Sequence, residues 1–111
     1  MKNIDSLKNT AQFREVYEKG RSCANDMLVL YVLATGGDDR KLGISVSKKV
    51  GNSVVRHRIA RLIRESFLSL KNDIPAGYTI VVVARYRAKG KTFSDICGAM
   101  LYLYKKMNLV T

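Results

Sequence analysis

Acidic side chains are scarce in this chain: nine Asp and Glu face twenty Lys and Arg, for a formal charge of +11. The nine are Asp5, Glu15, Glu18, Asp26, Asp38, Asp39, Glu65, Asp73 and Asp95, scattered along the length. Only Asp38 and Asp39 adjoin, beside Gly36-Gly37, where they suit a turn. Cleaving a phosphodiester with bound magnesium takes several converging carboxylates, and no such set is legible. Histidine is rarer still. His57 stands alone, too little for a zinc site of ordinary ligand spacing and no more than a single general acid or base. Cys23 and Cys97 lie far apart without a CxxC pair, which reads as two small buried hydrophobes in a reducing compartment. Long apolar runs are missing too: the longest, Met27 to Thr35, falls well short of the ~20 residues a spanning helix needs. The first residues, Met1-Lys2-Asn3-Ile4-Asp5-Ser6, lack the apolar stretch of a secretion signal. Together these absences point to a cytoplasmic protein with no membrane partner, no protein-held metal and no catalytic set of its own.

What is present is ordinary in amount and unusual in placement. With 111 residues and 47% apolar content, one domain spanning 1–111 can bury its own core without a staple. A short helix is expected from Thr10 to Lys19, with Asn9 as N-cap, Gln12 completing a capping box and Gly20 as the residue past its end. Phe13, Val16 and Tyr17 share its apolar face. Met27 to Leu33 reads as a buried strand, Thr35 to Asp39 as a turn, and Lys41 to Val50 as a second strand completing a hairpin. Arg21 to Ala24 is a candidate edge strand. Ser53 to Leu70 is a long helix capped by Asn52, with Val55, Ile59, Leu62, Ile63, Ser66, Phe67 and Leu70 as its apolar stripe. Tyr78 to Ala84, almost all β-branched or aromatic, suits the centre of a sheet. A basic loop, Arg85 to Lys91, leads to a last helix from Phe93 to Met107, whose inner face carries Ile96, Met100, Leu103, Tyr104 and Met107. The order is α-β-β-(β)-α-β-α, an α+β pattern in which strand, helix and strand form a parallel crossover. The general expectation for such a crossover is right-handed.

The basic residues are concentrated. From Arg40 to Arg64 there are eight Lys and Arg and no acid. At about 100° per residue, His57, Arg61 and Arg64 fall opposite the apolar stripe, with Arg56 and Arg58 near its borders. A helix seated by one side and cationic on the other offers fixed guanidiniums, which fork onto phosphate oxygens. Lys48 and Lys49 precede it, and Asn52 with the first-turn amides adds donors where an anion is favoured. A solvated helix face would mix signs; here only Glu65 interrupts. Nucleic acid is the expected partner. Phe13, Tyr17 and Tyr31 are either core or, if they line an open groove, stacking platforms for unpaired bases.

The run Ser45-Val46-Ser47-Lys48-Lys49-Val50-Gly51-Asn52-Ser53-Val54-Val55-Arg56-His57-Arg58-Ile59-Ala60-Arg61-Leu62-Ile63-Arg64-Glu65 resembles the signature of the bacterial ribonuclease P protein subunit. Phe13-x-x-Val16-Tyr17-x-x-Gly20, and Ala24-Asn25 ahead of the Leu28–Tyr31 strand, resemble the same family, so the likeness extends from about Leu7 to Lys106. The resemblance implies a two-layer α/β sandwich with a left-handed β-α-β crossover. It implies a subunit that binds a catalytic RNA and the 5′ leader of precursor tRNA, and assists magnesium-dependent removal of that leader. The magnesium would be held by RNA and substrate. It assigns Lys48, Lys49, Asn52, Arg56, His57, Arg58, Arg61 and Arg64 to the catalytic RNA, and Phe13, Tyr17 and Tyr31 to the leader. Two departures stand out: His57 replaces the asparagine of an Arg-Asn-Arg pattern, and Ala60 stands where the family often has lysine or arginine. The competing readings are a general or ribosome-associated RNA-binding protein and a stand-alone endonuclease centred on His57.

Overall fold

The computed structural model describes residues 5–7 and 9–110, so most of the Met1–Ser6 segment read above lies outside the described residues. Five strands form one mixed sheet in the order β1-β4-β5-β3-β2. Their ranges are β1 Asp5–Ser6, β2 Arg21–Ala24, β3 Leu28–Ala34, β4 Arg40–Ser45 and β5 Tyr78–Ala84. Helix α1 spans Thr10–Lys19, α2 Ser53–Leu70 and α3 Phe93–Lys106. The α+β sandwich expected from the resemblance is what these elements build.

The expected hairpin is not. Strands β3 and β4 do not pair, because β5 lies between them, antiparallel to β3 and parallel to β4. The apolar, β-branched β5 is buried on both faces and takes the central place that gives it two partners. Thr35–Asp39 therefore does not turn one strand onto the next but bridges across the start of β5. Thr35 donates its amide to the Gly77 carbonyl at 2.7 Å, and Gly77 donates its own to Asp39 at 2.8 Å. Gly77 holds φ at +91°, and a Cβ there would stand 2.9 Å from the Gly37 carbonyl oxygen. The crossing loop needs glycine at that point. Strand β4 also stops at Ser45, five residues before the expected end; Lys48 and Lys49 sit on an exposed turn closed by the Val50 amide on the Ser47 carbonyl. Strand β1 was not anticipated. Two residues carry no periodicity, and its parallel pairing to β4 is a long-range contact.

Side-chain alternation splits the sheet into two unlike faces. Leu28, Leu30 and Val32 of β3, Leu42 of β4, and Ile80 and Val82 of β5 point to one side. There they meet Ile59, Ile63 and Phe67 of α2 and Ile96, Met100, Leu103 and Tyr104 of α3, all fully buried. The stripe of α2 is buried as expected except Val55, which is half-buried, and Ser66 satisfies its hydroxyl by donating to the Leu62 carbonyl at 2.7 Å. Thr92 and Asp95 form a capping box at the start of α3, and hydrogen bonds from the Thr92 backbone amide and, second, its side chain hold the Asp95 carboxyl below its usual range.

On the other face α1 runs across the strands. Tyr31, Val81 and Gly43 are register partners on β3, β5 and β4, forming a row beneath it. Phe13 sits over Gly43, where an added Cβ would come within 2.8 Å of its ring. Tyr17 reaches Tyr31. The capping box of Asn9 and Gln12 forms as expected. Gly20 ends the helix as expected, but with φ at −82° it does so outside the left-handed region. Its role is close approach: a Cβ would lie 2.6 Å from the Val16 carbonyl oxygen and 2.8 Å from that of Val32. Both obstacles are backbone. Gly20→Ala is therefore expected to push α1 off β3 and lower stability by about 1–3 kcal/mol, read from urea unfolding; an unchanged midpoint would show that α1 is not seated there.

Candidate nucleic-acid interface

Asn52 begins the cationic helix by accepting from the Val55 amide at 3.0 Å. With the stripe fixed in the core, the polar residues of α2 have nowhere to go but out. His57, Arg58, Arg61 and Arg64 are exposed, as are Lys48, Lys49 and Asn52, while Arg56 is half-buried. Seven of the eight residues expected to contact the catalytic RNA are thus exposed and the eighth half-buried, and Arg56, His57 and Arg64 line one groove. They are not equally free. Arg56 Nε donates to the Gly51 carbonyl at 3.2 Å, and Arg58 Nη1 donates to the Lys91 carbonyl at 2.9 Å. Each bond uses one of a guanidinium's five donors and fixes its direction, leaving the rest to face outward. Arg61 has a loose ion pair with Glu65 at 3.9 Å, with both side chains more than half exposed, which is worth little in water. Among the described residues no guanidinium on this face is locked against a buried carboxylate. Arg40, counted in the same basic block, has a structural job: Nε and Nη2 donate to the Ile74 carbonyl at 3.1 and 3.0 Å.

The aromatic set meets on the opposite face. The Phe13 and Tyr17 rings lie 6.3 Å apart, and Tyr17 meets Tyr31 edge-on at 4.8 Å. Tyr17 is exposed, Phe13 and Tyr31 are half-buried. Beside them a hollow of about 320 Å³ is lined by Asn9, Thr10, Phe13, Tyr17 and Ser45. Its floor continues along the next row, Ser45, Val83 and Val29, which is also only half covered. Phe13 is half-buried and also lines the hollow, which is why spacing alone could not choose between packing and stacking.

Three further residues hold this arrangement, of which the sequence marked only Asn25, in the Ala24-Asn25 pair, and gave it no role. Gly43 seats Phe13, and a glycine inside an otherwise apolar strand is the signal of close approach that marks it. Asn25 accepts from the Met27 and Leu28 amides at 3.0 and 2.8 Å and donates to the Ala99 carbonyl at 3.3 Å, joining the β2–β3 turn to α3. Arg85 Nη1 donates to the Asn25 carbonyl at 2.7 Å and pins the second basic loop. The cysteines are corrected slightly. Both are free and half-buried rather than buried. Burial raises the Cys23 thiol pKa despite Lys106 and Arg21 nearby, which leaves it an unpromising nucleophile. Among the described residues no three His, Cys, Asp or Glu side chains converge on a point that could hold a metal ion. Nor is any described helix long and apolar enough to cross a membrane.

Comparison with known proteins agrees with this geometry. The family model described as Ribonuclease P matches residues 1–108. The chain is 50% identical over 107 residues to the ribonuclease P protein component of Lachnoclostridium phytofermentans, covering 96% of this chain and 92% of that one. Among solved structures, the Staphylococcus aureus RNase P protein superimposes with a TM-score of 0.86 at 39% identity, covering 96% of this chain and 97% of the other. The RNase P protein from Thermotoga maritima gives 0.83 at 29% identity, over 92% and 96%. Sequence, architecture and the two surfaces converge, and the chain belongs to the ribonuclease P protein family.

Proposed function

We infer that this chain is the protein subunit of a ribonucleoprotein endoribonuclease that removes the 5′ leader from precursor tRNA, with the chemistry carried by its RNA partner. Helix α2 and the Lys48-Lys49 turn lie against the catalytic RNA, using Asn52, Arg56, His57, Arg58, Arg61 and Arg64. The hollow lined by Phe13 and Tyr17, with Tyr31 against the Tyr17 ring, takes the single-stranded leader. Magnesium is held by the RNA and the substrate, and the particle works in the cytoplasm. The observation that carries the reading is the pairing of two surfaces of different character on one small sheet. One is a row of outward guanidiniums interrupted only by Glu65 and suited to folded RNA. The other is an aromatic hollow suited to unpaired bases, where each stacked base contributes ~1–3 kcal/mol.

The isolated protein is expected to leave precursor tRNA intact in RNA-free buffer, and to lower the magnesium needed for leader removal when added to its cognate RNA. Cleavage by the protein alone would overturn this division of labour. The His57→Asn protein is expected to keep full assisting activity, since His57 serves as a donor on a cationic face; a dead variant would revive the histidine-centred endonuclease.

A further inference from the structure

Alternation along β4 sends Ser45 into the aromatic hollow but Ile44 and Val46 to the other side, toward α2. There they floor a groove of about 230 Å³ together with the Ala60 methyl, rimmed by Arg56, His57 and Arg64. Ile44 and Val46 are only partly covered by the core. His57 and Arg64 are exposed and have no hydrogen-bond or ion-pair partner among the described residues, and Arg56 has spent one donor on Gly51. Beyond Leu42 the outer edge of β4 has no paired strand among the described residues, so the groove opens sideways as well as upward.

We propose that this groove receives one unstacked nucleobase of the RNA partner, while Arg56 and Arg64 hold the phosphates on either side of it. The inference rests on reading α2 as the face that binds catalytic RNA, and it adds base contact to a surface otherwise read as purely electrostatic. A phosphate alone does not suit the floor, because apolar side chains would strip its water and return nothing. An apolar peptide does not suit the rim, where three nitrogen-bearing side chains converge without a carboxylate. A base satisfies both parts: its faces lie against aliphatic carbon, and its edge meets imidazole and guanidinium donors. Unpaired bases splayed from the helix and laid on such surfaces are the usual means by which proteins read RNA. Ala60 is what leaves the space. A longer side chain at that helix position would lie across the floor.

The test uses two probes of equal charge, an adenylate hexamer and its abasic ribose-phosphate counterpart, with methyl NMR on the full chain. The adenylate hexamer is expected to shift the Ile44, Val46 and Ala60 methyls, and the abasic hexamer to leave them in place. Ala60→Leu fills the groove with a good helix former and no change of charge. It is expected to bind the cognate catalytic RNA about 10-fold more weakly, with the same dependence on salt. Methyl signals unmoved by adenylate, or moved equally by the abasic probe, would overturn the proposal; so would an Ala60→Leu protein that binds like the parent. The methyl readout on the unmodified chain needs no variant to fold. The magnesium assay on that same chain keeps the two readings apart: full assistance with silent methyls removes the base pocket alone.

Discussion

Raising the salt from about 50 to about 200 mM is expected to weaken association with the catalytic RNA roughly 10³-fold. The estimate follows from how many cations the helix holds outward. Lys48, Lys49, Arg58, Arg61 and Arg64 are exposed and Arg56 is half-buried, so about six phosphates can be neutralised, each releasing its condensed counterions. Among the described residues none of the six has its charge cancelled by a buried acid. Arg61→Glu is then expected to reduce the logarithmic salt slope by about one and to weaken binding at every salt concentration. Lys105→Glu, equally exposed but on α3, serves as the control and is expected to leave the slope alone. Equal losses for both variants would mean that the net charge of +11 binds RNA diffusely and that α2 has no special part.

Phe67→Ala is expected to lower the unfolding free energy by about 3–5 kcal/mol. Phe67 is fully buried, in the turn of α2 that packs between the sheet and α3. A domain of this kind holds only ~5–15 kcal/mol in total, so the loss takes a large share of its stability. The consequence for binding is specific. Guanidiniums are useful to RNA only while the helix beneath them is fixed, and that helix is anchored by its stripe. The variant is expected to lose RNA affinity in step with its unfolded fraction and to regain it with excess RNA, because a ligand that binds only the folded chain stabilises it. Urea unfolding with and without the RNA reads both effects. A loss below about 1 kcal/mol would show that α2 is held by something other than its buried face.

Helix α2 was legible to the residue because several signals agreed there: an N-cap at Asn52, an unbroken apolar stripe, and a change of composition past Leu70. The central place of Tyr78–Ala84 was legible from its continuous run of β-branched and apolar residues, which suits burial on both faces. Pairing was not. Nothing local to Thr35–Asp39 distinguishes a turn joining neighbouring strands from a bridge over a third, and the decisive residue, Gly77, lies far along the chain. Gly20 was read as a helix terminator because glycine often is one; its need for room against Val32 belongs to tertiary structure. The same limit applies to the site. Periodicity placed Arg56 and Arg58 on the helix border correctly, but not the carbonyls of Gly51 and Lys91 that aim them. Nor could it place Ile44 and Val46 opposite Ala60, because that groove exists only once β4 and α2 are side by side.

Strand β4 serves as a party wall. Its odd-numbered Gly43 and Ser45 look toward α1 and the aromatic hollow and its even-numbered Leu42 and Ile44 toward α2, so parity within one short strand keeps two surfaces of opposite habit apart. A one-residue slip in that stretch would exchange the rooms, turning Ser45 toward the arginines and Ile44 toward the tyrosines. Length in this segment is thus under tighter constraint than the identity of any charge beside it.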